Sequence, residues 1–257
     1  MDMALNPQPV AAAASVWRVH HRAVTESTNR DARAGAPGDV FTADLQTAGR
    51  GRLDHRWLSP PGENLMMSAV VDVTGVQPEE VATLPLVAGA AVLEMGVAFF
   101  QREGKGAAAE NLRLKWPNDV LVAGRKLCGI LCERMEDRVI VGVGLNVNQV
   151  RFAPEIEGRA TSLARELGGA PALQISDVRD ALLVHLADAL ARWRDGGFRS
   201  VWPDVCRRDF LKGKRLAVMR TENDDAPVRG VCGGIGPDGA LLVDGIPVYA
   251  GEAHVVV

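Results

Sequence analysis

The sequence predicts an α+β chain: a body of strands and helices followed by a small β-barrel-like module. Three observations carry this reading. Residues 112–147 pattern as a meander of strands, with turns at Pro117-Asn118-Asp119, Ala123-Gly124-Arg125 and Glu136-Asp137. Two long stretches are helical in pattern, an apolar one opened by Pro85 and an amphipathic one beginning at Ser176. After Phe210 the helical period disappears, and residues 215–257 hold short β-rich runs around the turn Gly236-Pro237-Asp238-Gly239.

The elements follow in order. Residues 1–15 read as a flexible leader, without the basic start or the apolar run of a signal peptide. Residues 16–19 have strand composition. Ser27-Thr28-Asn29 then offers preferred N-cap types to a helical stretch reaching Arg33. A strand over 41–45, a Gly/Arg loop over 48–56 and a strand over 64–73 come next. The helix from Pro85 to about Arg102 is mostly apolar. Glu94 interrupts it and charged residues flank it, so it reads as a buried helix and not as a membrane span. Ser176 caps a helix through about Arg194, and Gly196-Gly197 stops it. Its apolar residues, Val178, Leu182, Leu186, Leu190 and Trp193, fall on one face. The chain thus divides into a leader (1–15), a body (16–211) and a β-module (212–257).

Of the 257 residues, 47% are hydrophobic and 24% charged, which excludes a disordered or collagen-like chain. Basic residues number 29 against 32 acidic, giving a net charge of −3 and no basic surplus for nucleic acid. Cys128, Cys132, Cys206 and Cys232 form no C-x-x-C pair and the histidines no H-x-x-x-H pair. Both facts argue against zinc and for reduced thiols in the cytoplasm.

Three stretches could carry chemistry. In Gln46-Thr47-Ala48-Gly49-Arg50-Gly51-Arg52, glycines allow close backbone approach and guanidinium forks suit phosphate or carboxylate. An exposed basic loop explains this stretch, taken alone, equally well. In Lys115-Trp116-Pro117-Asn118-Asp119 and Arg125-Lys126-Leu127-Cys128-Gly129-Ile130-Leu131, two lysines lie in segments that otherwise look buried, which is costly without an anion. Strand parity places Lys126, Cys128, Ile130 and Cys132 on one side and Leu127, Gly129 and Leu131 on the other. An edge-strand lysine beside a type I turn is the equal alternative here. The third stretch, Val141-Gly142-Val143-Gly144-Leu145-Asn146-Val147-Asn148, puts glycines and amides into an apolar strand and is weak alone.

Taken in order, Glu26-Ser27-Thr28-Asn29, the Gly/Arg loop with Trp57 shortly after, Lys115 to Asp119, Lys126 to Leu131 and Gly142 to Asn148 resemble the biotin–protein ligases. Ala160-Thr161-Ser162-Leu163 and the closing module, with Gly251-Glu252, fit the same family. The resemblance implies a mixed central sheet flanked by helices, as in class II aminoacyl-tRNA synthetases, with an SH3-like C-terminal domain. It also implies ATP and Mg²⁺, biotin as substrate, a biotinyl-5′-AMP intermediate, and transfer to one lysine of a biotin carboxyl carrier domain.

By that resemblance Ser27, Thr28, Asn29, Gln46, Gly49, Arg50, Lys126 and Gly129 are expected around biotin. Arg50, Arg52, Trp57, Asn118, Lys126 and Asn146 are expected around the nucleotide, with Lys126 and Arg50 neutralising charge between the two anions. Asp119 is the candidate contact for Mg²⁺ or the incoming amine. The family's Gly-Arg continuation of the loop is replaced by Leu53-Asp54-His55-Arg56, which places a carboxylate beside the arginines. About 15 residues precede the first strand, so the helix-turn-helix repressor domain of some members is expected to be absent. Nucleic acid and membrane are not expected partners. A homodimer through a sheet edge near 139–147 stays open. The alternatives are a lipoate or octanoate transferase on the same fold, or a non-catalytic biotin-binding regulator.

Overall fold

Val, Ile, Leu and Met dominate Asn64–Asp72 and Arg138–Asn146, and both segments become central strands buried on both faces. The structure is a computed structural model that describes residues 17–52, 55–169, 172–219 and 226–256. The leader over 1–15 and Asp54 therefore lie outside the described residues.

Seven strands form the main sheet: β1 (Arg18–Thr25), β2 (Asp39–Gln46), β3 (Asn64–Asp72), β4 (Leu112–Lys115), β5 (Asp119–Val122), β6 (Arg125–Met135) and β7 (Arg138–Asn146). Their order is β1-β2-β3-β7-β6-β5-β4. Only β1 and β2 run parallel, joined across the short helix α1 (Thr28–Ala32), so the sheet is mixed. The sheet edge left open for a homodimer needs correction. β7 is hydrogen-bonded to β3 and β6 on its two sides, so residues 139–147 offer no edge. The outer edge of β4 is covered too, since Leu114 exchanges backbone hydrogen bonds with Arg208 and Phe210.

Helices α2 (Pro78–Val81), α3 (Leu84–Arg102), α4 (Gly106–Glu110), α5 (Leu163–Glu166), α6 (Ile175–Gly196) and α7 (Trp202–Arg207) complete the body. Helix α3 is apolar and long enough to cross a membrane, yet most of it is buried against α6 and one face of the sheet. Leu65, Met67, Ala69 and Val71 of β3 point into that layer. Among the described residues, α1 is the one helix on the other face of the sheet, seated on Val70 and Ile140 through Ala32. The rest of that face is left for a cleft.

The β-module holds β8 (Arg215–Met219), β9 (Val228–Ile235), β10 (Leu241–Val243), β11 (Ile246–Val248) and β12 (Glu252–Val255). They form an antiparallel sheet in the order β11-β10-β9-β8-β12, consistent with the SH3-like expectation. β9 serves both halves, pairing with β8 through its start and with β10 through its end. Indole N–H groups tie the module to the body: Trp116 donates to Gly239 O at 3.1 Å and Trp202 to Ile235 O at 2.7 Å.

Three local expectations change. β1 begins at Arg18 and runs to Thr25, longer than composition suggested. Ser27 holds the N-cap position of α1, but its hydroxyl makes no cap bond. Helix α6 starts at Ile175 after Gln174, which places Ser176 inside its first turn and not at the cap. Gly251 shows the tightest backbone constraint in the module. Its φ is 138°, and a Cβ there would stand 2.6 Å from Met219 O. Gly251→Ala is expected to lower stability by about 1–3 kcal/mol in urea unfolding, because strain and contact act together.

Candidate functional site

Cross-strand register builds the cleft floor. Met66, Gly144, Gly129, Asp119 and Lys115 are successive partners across β3, β7, β6, β5 and β4. A second row runs Ser68, Gly142 and Leu131. Partners in one row face the same side of a pleated sheet. The cleft over these rows has a volume of about 930 Å³ with its open mouth included.

The glycines make room for side chains from elsewhere. A Cβ on Gly144 would meet the Trp57 ring at 2.5 Å, and one on Gly129 would meet the same ring at 3.2 Å and Lys126 Nζ also at 3.2 Å. A Cβ on Gly142 would collide with Asn29 Oδ1. The indole of Trp57 thus lies on the Gly129–Gly144 pair, with Lys126 Nζ 5.9 Å from its centroid. Its Nε1 is buried and has no partner among the described residues.

Strand parity misplaced Lys126. The β5–β6 register slips between Val120 and Leu121, so that Leu121 faces Lys126 and Leu127 is passed over. This irregularity reverses the alternation, bringing Lys126 onto the Gly129 side while Leu127 and Cys128 enter the core. The Ala160-Thr161-Ser162-Leu163 segment fixes it there: Lys126 N donates to Arg159 O at 2.7 Å and Thr161 N to Lys126 O at 2.9 Å. Asn146 Nδ2 donates to Thr161 O at 2.9 Å and to Lys126 O at 3.4 Å. Asn146 is buried and does not line the cleft, so in this structure it braces the Lys126 backbone. Gly49 is likewise off the wall, where its Cβ would strike Trp57 O at 2.5 Å.

The remaining expected residues converge on the cleft: Ser27, Thr28, Asn29, Gln46, Arg50, Arg52, Trp57, Asn118, Asp119, Lys126 and Gly129. Gln46 Oε1 accepts from Thr28 N at 2.8 Å and from Thr28 Oγ1 at 3.1 Å. Ser68 Oγ lies 2.7 Å from Thr28 Oγ1 and 2.6 Å from Asn29 Oδ1. Asn118 Nδ2 donates to Ile130 O at 2.7 Å, locking the β5 turn to β6.

The Gly/Arg loop folds back on itself through Gly51 N to His55 O at 2.6 Å and Trp57 N to Gly49 O at 3.1 Å. Arg52 Nη2 reaches Gly251 O at 3.1 Å, bringing Glu252 of the β-module onto the cleft wall. Burial pulls the Arg52 guanidinium below its usual pKa, while Glu252 and Asp119 pull it back.

Carboxylates face the cations. Lys126 Nζ is 2.7 Å from Asp119 Oδ1. Arg50 Nη2 donates to both oxygens of Glu133 at 2.9 and 3.0 Å, and Arg33 reaches the same carboxylate at 3.2 Å. Asn29 Nδ2 donates to Glu133 Oε2 at 2.7 Å. Sequence reasoning missed Glu133 and Ser68. Glu133 lies on the Gly129–Leu131 face, two residues further along β6, and Ser68 is a lone hydroxyl in an apolar strand. Both signals were available in the alternation. The donor set does not fit a protein-held Mg²⁺. No three His, Cys, Asp or Glu side chains converge among the described residues, and Asp119 already faces an ammonium. Mg²⁺ commonly binds through substrate phosphates with one or two carboxylates, so any such ion belongs to the substrate side.

Burial works to raise the Glu133 pKa, but the Asn29 hydrogen bond and the charges of Arg50 and Arg33 outweigh it and hold it below the usual carboxylate value. A folded-state value below the unfolded one stabilises the fold above the unfolded pKa of about 4.3, and the gain is lost as pH falls through the folded value. Glu133→Gln is therefore expected to be less stable than wild type at pH 7. The gap should close as pH drops below about 4, as followed by urea unfolding at stepped pH.

Comparison with known proteins agrees with this geometry. A model of the Biotin/lipoate A/B protein ligase family matches residues 22–148. The biotin--[acetyl-CoA-carboxylase] ligase of Mycobacterium tuberculosis (strain ATCC 25618 / H37Rv) is 36% identical over 240 residues, 90% of this chain and 85% of that protein. The ligase of the same name from Paracoccus denitrificans is 33% identical over 238 residues, covering 86% of this chain and 92% of its own. A solved biotin protein ligase from Aquifex aeolicus, in complex with biotin and ATP, matches with a TM-score of 0.78 at 26% identity, over 93% of this chain and 98% of that one. A fold shared along nearly the whole length, and relatives above 30% identity over most of theirs, place the chain in the biotin/lipoate protein ligase family, among its biotin–protein ligases.

Proposed function

We propose that this chain is an ATP-dependent ligase that converts biotin to biotinyl-5′-AMP and passes the biotinyl group to one lysine of a carboxyl carrier domain. The observation that carries the reading is one cleft in which Lys126, Arg50 and Arg52 stand beside a lining of Thr28, Asn29, Gln46 and the Trp57 ring. Three cations near a partly apolar slot suit a reaction between two anions in which one is a small amphiphilic acid.

Each step has a natural agent. A biotin carboxylate oxygen attacks the α-phosphorus of ATP, the bond from that phosphorus to the bridging oxygen breaks, and pyrophosphate departs with the electron pair. Lys126 and Arg50 are positioned to lower the repulsion between carboxylate and phosphate, which is electrostatic stabilisation by preorganised groups. In this structure those cations are held by Asp119 and Glu133, so the phosphate exchanges one anionic partner for another. The carrier lysine then attacks the acyl carbon as a free amine and AMP leaves. Asp119, released from Lys126, is a carboxylate on the cleft floor that can accept the amine's proton. A covalent acyl-cysteine route has no support from Cys128. Burial pushes that thiol well above its usual pKa despite the Lys126 charge, so it carries no thiolate.

The cytoplasm is proposed as its setting, in keeping with four free cysteines. Wild-type protein should exchange labelled pyrophosphate into ATP when biotin is present, and should fail to do so with lipoate. Lys126→Ala is expected to lower single-turnover adenylate formation by about 10²–10³-fold while leaving the unfolding midpoint nearly unchanged. Normal adenylation by the folded variant would remove Lys126 from this role.

A further inference from the structure

Lys115 is a charged residue of the cleft that has no role in the steps above. It closes β4, and its register partner across β5 is Asp119, which continues the row through Gly129 and Gly144. The row directs it to the side on which Lys126 and Trp57 stand, and it lines the same cleft. Of the other cations there, Lys126 answers to Asp119, Arg50 to Glu133 and Arg52 to Glu252 and Asp119, while Arg56 donates to Thr47 O at 3.4 Å. Among the described residues Lys115 has no carboxylate within ion-pair distance and no hydrogen-bond acceptor for its ammonium, although Asp119 is its neighbour in register. That carboxylate is committed to Lys126.

A second lysine stands close by. Burial holds the Lys214 ammonium below its usual pKa, and the charge of Lys115 adds to that effect against the pull of Asp209. Lys214 also lies over the Phe210 ring, 3.1 Å from its centroid. A cation left unpaired in a recess, with another ammonium near it, is stabilised by an incoming polyanion and by little else in the fold.

Resting on the adenylate-forming activity proposed above, we infer that Lys115 is a catalytic residue that takes up the charge of the departing pyrophosphate. The chemistry separates its task from that of Lys126. As the bond between the α-phosphorus and its bridging oxygen breaks, the electron pair stays on that oxygen, and the leaving group gains negative charge away from the carboxylate under attack. Lys126 and Arg50 serve the attacked phosphorus. Lys115, one strand beyond Asp119, serves the group that leaves.

The half-reactions distinguish this role from a structural one, because pyrophosphate has gone before the carrier lysine reacts. Full-length wild type, Lys115→Gln and Lys115→Arg are compared with labelled inorganic pyrophosphate, ATP and biotin, and then with preformed biotinyl-5′-AMP and carrier domain. Lys115→Gln should raise the pyrophosphate concentration for half-maximal exchange at least about tenfold and slow adenylate formation by about 10²-fold, the range for loss of one preorganised charge donor. Lys115→Arg should recover most of both, and the loss should be confined to the first half-reaction with the unfolding midpoint unchanged. Unaltered pyrophosphate dependence in Lys115→Gln, or an equal loss in transfer from preformed adenylate, overturns the assignment. No exchange in the wild type instead overturns the adenylate-forming reading, and the role of Lys115 with it.

Discussion

Like charges gathered on one concave wall repel one another, and two unit charges 4 Å apart interact by about 4 kcal/mol at an effective dielectric of 20. Everything else about the cleft follows from the need to hold Lys126, Arg50 and Arg52 together without ligand. Asp119 and Glu133 supply direct ion pairs, and Glu252 adds a longer-range attraction from the β-module. None of these carboxylates is surplus. Glu133 alone engages Arg50, Arg33 and the amide of Asn29, so the group that quiets the arginine also aims the amide. An anionic ligand enters a site already arranged for negative charge and needs only to replace what is there.

The backbone makes this arrangement possible by giving up side chains. Gly129, Gly142 and Gly144 leave the sheet floor bare where Trp57 and Asn29 descend onto it. The slip in the β5–β6 ladder then turns one residue, Lys126, out of the core and toward that floor. Two asparagines keep the irregularity from relaxing, Asn118 bonded to β6 and Asn146 to the carbonyls of Lys126 and Thr161. Their place in the motifs is explained by backbone support as directly as by contact with a ligand.

Much of this was legible in the sequence, for identifiable reasons. Long periodic segments declared themselves: the meander of β4 to β7, the apolar helix α3 behind Pro85, and the module after Phe210 all stand where pattern placed them. Short helices such as α4, α5 and α7 escaped because four to six residues contain less than two turns of periodicity. Strand parity failed at Lys126 because a slip in register is decided by the partner strand and has no local signature. The homodimer edge failed for a related reason. Strand order is set by tertiary pairing, and residues 139–147 lie at the centre of the sheet. Most of the residues expected from the motifs line one cleft. Glu133 and Ser68 stand out as polar residues in the strand alternation, but what each of them holds is set by contact between distant elements.

The hydrogen bond from Arg52 to Gly251 O joins residues 199 positions apart in the chain and spans the body and the β-module. Seating of the loop and docking of the module are consequently coupled equilibria, and thermodynamic linkage makes such coupling reciprocal. Whatever a bound ligand contributes to ordering Arg52 is felt as tighter attachment of the β-module, and loosening of the module weakens the ligand's hold in equal measure. Among the described residues of that sheet Glu252 alone lines the cleft, so the rest of the sheet is linked to the loop through this one hydrogen bond.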